Sequence, residues 1–295
     1  MSALVVASLV RALTAATVVV LASVLAEVLG PLWGALVISL PVTAGPVYVF
    51  MALEHETGFV AGAALNGFAA NAATGLLLLT YARLATDRSL LRSFGPAVLA
   101  WLAAALPIAA VTWTPLTAFL LNVAVYGVGM ALVRPSARSV LAPAAAVARP
   151  RPRDLLLRAA AVALFVSGVL AVSAILGPAR TGVIAAYPVT LTSAFVILHR
   201  RLGGAAMARM AAMTIRGVFG FGLTLLTLHL SIERWGAPAA LATALLVSLV
   251  WSAGLLALQR RPARAQAART VARNRATSEE RYSDWRDSSP EADRT

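Results

Sequence analysis

Nine apolar runs follow one another through this chain with short polar breaks between them: 13–29, 32–52, 59–82, 96–111, 115–133, 155–176, 181–198, 206–230 and 238–258. A hydrocarbon layer about 30 Å thick takes roughly twenty apolar residues of helix to cross. Backbone polar groups inside that layer must be bonded within the segment that carries them, so runs of this length read as membrane helices. With 60% hydrophobic and only 13% charged residues, the composition lies far from that of soluble domains, where about a quarter of residues are charged. The fold class is all-α: a polytopic bundle of about nine transmembrane helices. There is no cysteine, which excludes a disulfide framework, an iron–sulfur cluster and thiolate chemistry.

The net charge of +13 comes from arginine alone, because all 25 basic residues are arginine and none is lysine. Together with the abundant alanine, this suggests a GC-rich bacterial genome. Placing alternate connections on opposite sides sorts the arginines. One side receives Arg83, Arg88, Arg92, the six from Arg134 to Arg158, then Arg200, Arg201, Arg209 and nine from Arg260 onward, 21 in all. The other receives Arg11, Arg180 and Arg234 beside Glu54, Glu56 and Glu233. Arginine is retained on the cytoplasmic side during insertion. The chain is therefore expected in a bacterial inner membrane, N-terminus out and C-terminus in, and the basic charge is a topology signal with no nucleic-acid partner behind it. Residues 1–133 form a first membrane half and 154–259 a second. Between them lies a cytoplasmic Pro/Arg-rich linker, 134–153. The tail 260–295 reads as at most a surface helix followed by disorder, with arginines that touch anionic lipid, each contributing about 1 kcal/mol.

Two joints need a decision. The stretch 96–133 is either two spans meeting at Thr112-Trp113-Thr114-Pro115 or one span and a re-entrant segment. Arginines at both of its ends require an even number of crossings, which favours two. The first run is read as a retained span and not a cleaved signal, because Arg11 alone stands before it and cleavage would put the 83–92 loop outside.

Against that topology, one element repeats. Gly30-Pro31 followed by Pro41-Val42-Thr43 returns as Gly177-Pro178 and Pro188-Val189-Thr190, with eleven residues from glycine to second proline in both copies. The first copy starts inside and its span ends outside at Glu54-His55-Glu56; the second starts outside and ends inside at His199-Arg200-Arg201. Five spans in the first half invert the four of the second, the arrangement of inverted-topology repeats.

A proline inside a helix removes one backbone hydrogen bond and crowds the carbonyl four residues earlier. Broken spans at matching places in two halves point to a binding site near the midplane. Pro41, Thr43, Pro188, Thr190 and Thr192 are the candidate substrate-binding residues of the broken spans. The alternative is two structural kinks whose hydroxyls bond their own helices. The span after each broken one carries the costly polar residues: Asn66 and Asn71 in the first half, Arg216 in the second. Arg216 either meets an anionic group in the membrane or reaches the cytoplasmic interface by snorkelling; Asn66 and Asn71 either line the site or bond between helices. Glu27 is the one carboxylate within an apolar run; it is a proton carrier if buried and an ordinary interfacial acid if not.

No zinc-protease helix, nucleophile elbow or Walker loop is present, no histidine–carboxylate set has metal-ligand spacing, and no cofactor motif appears. The chain reads as non-enzymatic. Glu27 followed by Gly34-Ala35-Leu36-Val37-Ile38-Ser39-Leu40-Pro41-Val42-Thr43 resembles the start of the small GlpM-like bacterial membrane proteins. That resemblance covers the first two spans and, more weakly, 182–193, where no glutamate precedes the Gly-Pro. It implies an integral membrane protein and brings no substrate. The expectation is a secondary transporter or permease of a small solute. The rival is a non-transporting scaffold or assembly partner that uses the arginine tail, and a lipid-handling enzyme or flippase is a third reading.

Overall fold

The computed structural model describes residues 10, 13–18, 20–21, 44–133 and 152–288, with side chains as far as Leu258. Glu27, Pro41, Thr43, the first Gly-Pro pair and linker residues 134–151 lie outside the described residues. Among those described, every regular element is helical: α1 (Ala44–Glu54), α2 (Thr57–Leu84), α3 (Leu90–Ala110), α4 (Pro115–Leu132), α5 (Pro152–Ala185), α6 (Val189–Leu202) and α7 (Gly204–Ser288). Five of them, α2, α3, α4, α5 and the stretch of α7 to Leu258, are long and apolar enough to cross a membrane. This is a multi-pass helical membrane protein.

The bundle is organised around α2. In its most apolar window 78% of residues are buried, against 17–33% in the other four. Its sequence explains the difference: alanine and glycine at positions 61–64, 67, 69, 70, 72, 73 and 75 let neighbouring backbones come close. In a membrane, where lipid tails are as apolar as leucine, such close approach is what holds helices together. The outer helices instead present large side chains outward, among them Leu91, Leu106, Leu164 and Ile175.

Side-chain contacts give the direction of each element. Trp101 of α3 meets Thr74 and Phe94 meets Tyr81, so α3 runs antiparallel to α2. Asn122 and Tyr126 of α4 meet α2 at Phe68 and Asn71, so α4 runs parallel to it. The α3–α4 joint is a reversal at Thr112–Thr114. There the Thr114 hydroxyl accepts from the Thr117 amide at 3.2 Å, the Thr117 hydroxyl accepts from the Thr114 amide at 3.0 Å, and Pro115 opens the helix. A reciprocal cap with proline at the first helical position is a strong local start signal. Two helices, each long and apolar enough to cross a membrane, occupy 90–132.

The second half turns on single glycines. Gly177 (φ 72°, ψ 175°) reverses α5, with Asp154 and Arg201 paired at one end of the hairpin and the Thr181 hydroxyl directed at the Ser173 carbonyl near the other. Gly236 (φ 74°, ψ 167°) reverses α7, returning Trp251 to Arg216. Gly203 (φ 80°, ψ 161°) joins α6 to α7. The 204–235 arm of α7 runs antiparallel along the whole of α2, from Gly204 against the Ala85 carbonyl to Glu233 beside Gly58. Charge divides by end. Glu54, Glu56, Arg180, Glu233 and Arg234 lie at one, and Arg83, Arg88, Arg92, Arg153, Arg158, Arg200, Arg201 and Arg209 at the other.

A second compact unit, 256–295, is helical as far as Ser288. Alanine, arginine and glutamate, all good helix formers, dominate 260–281 and favour that helix.

Candidate functional site

The span after Gly177 is broken in two. Its first arm ends at Ala185, residues 186–188 are non-helical, and α6 restarts at Val189 with Pro188 as its N-cap. Proline causes this directly: it has no amide hydrogen for the Ile184 carbonyl, and its ring excludes helical geometry at Tyr187. The Ile184 carbonyl accepts instead from the Tyr187 amide at 2.9 Å, and the Ala186 amide is shared between the Gly182 and Val183 carbonyls. At about 1.5 Å per residue, the arms on either side of the break, 178–185 and 189–202, are roughly 12 and 21 Å long.

This broken span lies parallel to α2 along its length. Pro178 packs on Gly62, Gly182 presses on the Ala63 carbonyl, and Phe195 stacks on Tyr81 at 4.4 Å. At the break, the Thr74 hydroxyl points at the Ala186 carbonyl at 3.4 Å while accepting a hydrogen bond from Trp101 Nε1 at 3.2 Å. Trp101 also meets the Tyr187 ring edge-on at 4.9 Å. On the same face of α2, Asn66 donates through Nδ2 to the Gly62 carbonyl at 2.9 Å and leaves its buried Oδ1 without a partner. The face that meets the broken span is thus a polar strip, Asn66 and Thr74, in an otherwise apolar helix.

A second polar knot lies on the other side of α2. Asn71 Nδ2 donates to Asn122 Oδ1 at 3.2 Å and to the Val218 carbonyl at 3.1 Å, while Asn122 Nδ2 donates to the Phe68 and Ala118 carbonyls. Tyr126 donates to the Asn71 carbonyl at 2.9 Å. Asn71 is fully buried and its Oδ1 has no partner. Gly222 lets α7 approach here: a Cβ added to it would meet the Asn71 amide at 2.7 Å. Three helices are tied together at the middle of α2.

The expected site residues separate accordingly. Asn66 lies on the α2 face that meets the broken span, two turns before Thr74, which is the residue at the break; Pro188 caps α6 and Thr190 stands in its first turn, where its carbonyl accepts from the Ser193 hydroxyl. Thr192 is buried but its hydroxyl donates to the Pro188 and Val189 carbonyls of its own helix, at 3.0 and 3.1 Å. Its donor is thus used within its own helix, as the kink alternative expects. Asn71 sits in the second knot, with interhelical bonds. Arg216 joins neither: its side chain is exposed, and its carbonyl accepts from Trp251 Nε1 at 3.0 Å. Its exposure follows from the helix face, which turns Gly222 and Leu225 toward α2 and leaves Arg216 outward. Among the described residues no group of histidines and acids could hold a metal ion.

Sequence reasoning missed Asn122, Tyr126 and Trp101. Asn122 was visible as the one amide side chain in the 115–133 run, the same signal that singled out Asn66 and Asn71. Trp101 carried a subtler mark. Leu99, Trp101, Ala103 and Leu106 match Leu249, Trp251, Ala253 and Leu256, the offset of 150 that also relates Asn66-Gly67 to Arg216-Gly217. No family model, curated protein or solved structure matches this chain.

Proposed function

We propose that the chain is a nine-span bacterial inner-membrane secondary transporter of a small solute, built from two inverted repeats with its arginine-rich end in the cytoplasm. The observation that carries this reading is the break at 186–188, set against the polar strip of a buried central helix. Discontinuous helices at mid-depth are where transporters bind solute, because only there is unpaired backbone tolerated in a membrane. The solute path then runs between α2 and the 178–202 span, lined by Asn66, Pro188 and Thr190, with Pro41 and Thr43 as the first-half counterparts and Glu27 as proton carrier. The inversion has its own support: α2 and the first arm of α7 pack antiparallel, and an offset of 150 puts a two-fold axis near Asn71 and Gly220. Each of these helices receives a tryptophan from the next helix, Trp101 on Thr74 and Trp251 on Arg216.

A test needs no knowledge of the solute, because the chain contains no cysteine. Ala186→Cys, at the break, is probed with membrane-impermeant thiol reagents in right-side-out and inverted vesicles. Alternating access predicts labelling from both faces, with buried Ala69→Cys in α2 unreactive. If Ala186→Cys is as inert as Ala69→Cys from both faces, no aqueous path reaches the break and the transport reading fails.

A further inference from the structure

At the arginine-rich end, two guanidinium groups compete for one carboxylate. Arg201 of α6 donates to Asp154 of α5 at 2.7 Å. Arg158, one turn after Asp154, lies within electrostatic reach of both. Its Nε is buried and has no acceptor. Arg158 and Arg201 also differ from the other described arginines in setting: Arg83, Arg88, Arg92, Arg153, Arg180, Arg200, Arg209, Arg216 and Arg234 are exposed, whereas these two are part-buried. A buried guanidinium donor with no acceptor is costly unless an anion supplies one. The 134–151 linker contains no aspartate or glutamate, so it offers no anionic group. What surrounds Arg158 indicates the source. Leu156 and Leu157 before it are 69% and 62% exposed and Leu164 after it is 76% exposed, so the cluster lies beside an exposed apolar surface of the kind acyl chains cover in a membrane.

We propose that Arg158 and Arg201 form a binding site for the phosphate of an anionic lipid, with Asp154 holding Arg201 in place. The planar guanidinium fork suits a phosphodiester oxygen pair in a way an ammonium does not. The bound headgroup bridges α5 to the inner end of the broken span, so lipid occupancy stabilises that hairpin whether or not the protein transports.

The experiment is thermal unfolding of the purified full-length protein in neutral detergent, titrated separately with phosphatidylglycerol, phosphatidylcholine and inorganic phosphate, with native mass spectrometry to count retained lipid. Phosphatidylglycerol is expected to raise the unfolding midpoint and phosphatidylcholine is not. Arg158→Gln should lose most of that rise and one retained lipid, Arg158→Lys should recover part of it, and Arg88→Gln at the exposed 85–89 turn should behave as wild type. An equal rise in Arg158→Gln and wild type, or an equal rise with both lipids, overturns the proposal. Inorganic phosphate reproducing the rise without lipid overturns the lipid assignment and leaves a solute anion as the ligand. Should Arg158→Gln fail to fold, Arg201→Gln takes its place with the same expected loss.

Discussion

Asn71 shows how one amide can tie a membrane core together. Both of its Nδ2 hydrogens are used between helices, on Asn122 and on the Val218 carbonyl, and no solute need be invoked for them. Interhelical bonds of this kind contribute roughly 0.6–2 kcal/mol each in membranes. Asn71→Leu is therefore expected to destabilise the bundle by about 1–3 kcal/mol, and Asn71→Leu with Asn122→Leu by less than the sum of the single changes. Unfolding in mixed micelles of rising dodecyl sulfate measures this; additive losses would show that the two amides do not share a bond. Thr192 gives the opposite expectation. Its hydroxyl serves only carbonyls of its own turn, so Thr192→Val should change solute uptake less than Asn66→Leu does once a solute is known. Sequence identified Asn66 and Asn71 because an amide in an apolar run is costly anywhere. It could not say which one faces the broken span, since that depends on where α2 packs. Arg216 was open to two readings for the same reason: depth along a helix is readable from the run, but which face is covered is not.

At the level of elements, the break at Pro188 was legible because its cause is local: a missing amide hydrogen and a ring clash act wherever the chain is. The tight reversals were less so. Glycine was visible at each joint, but only the backbone shows that Gly177, Gly203 and Gly236 all adopt positive φ with extended ψ, a region almost closed to other residues. A Cβ on Gly203 would meet nothing within 4 Å, so the cost of Gly203→Ala is conformational alone, about 1–3 kcal/mol. Gly204→Ala is different. Its Cβ would run into the Ala85 carbonyl, so α7 must move away from α2. Both variants should lower the unfolding midpoint. The separating measurement is cross-linking of Gly58→Cys to Glu233→Cys across the α2–α7 contact: Gly203→Ala should leave its yield unchanged and Gly204→Ala should reduce it. Equal yields would mean that the α2–α7 approach does not depend on the glycine.

Across the whole molecule, the contacts that set each helix's direction and the arginines that set its orientation are independent, and they agree. His55 lies beside Ser173, Glu233 beside Gly58 and Pro178 on Gly62, which gathers the 55–56, 177 and 236 turns at one end. Tyr81 with His199 and Ala85 with Gly204 gather the 85–89 and 203 turns at the other. Arginine retention orients the bundle as a unit, so the turns within an end must share a side whichever side that is. In the cysteine-free chain, Glu56→Cys, Thr112→Cys and Arg234→Cys are predicted to react with an impermeant maleimide applied to intact cells, whereas Asp87→Cys and Gly203→Cys should react only after the membrane is opened. Gly203→Cys carries a backbone penalty, and Arg200→Cys tests the same turn without it. Labelling of Glu56→Cys and Arg200→Cys from one side would break the inverted relation between the halves even if every helix were where it is drawn. Reversal of all sites together would keep the repeat and turn the protein over, placing Arg158 and its headgroup site in the outer leaflet.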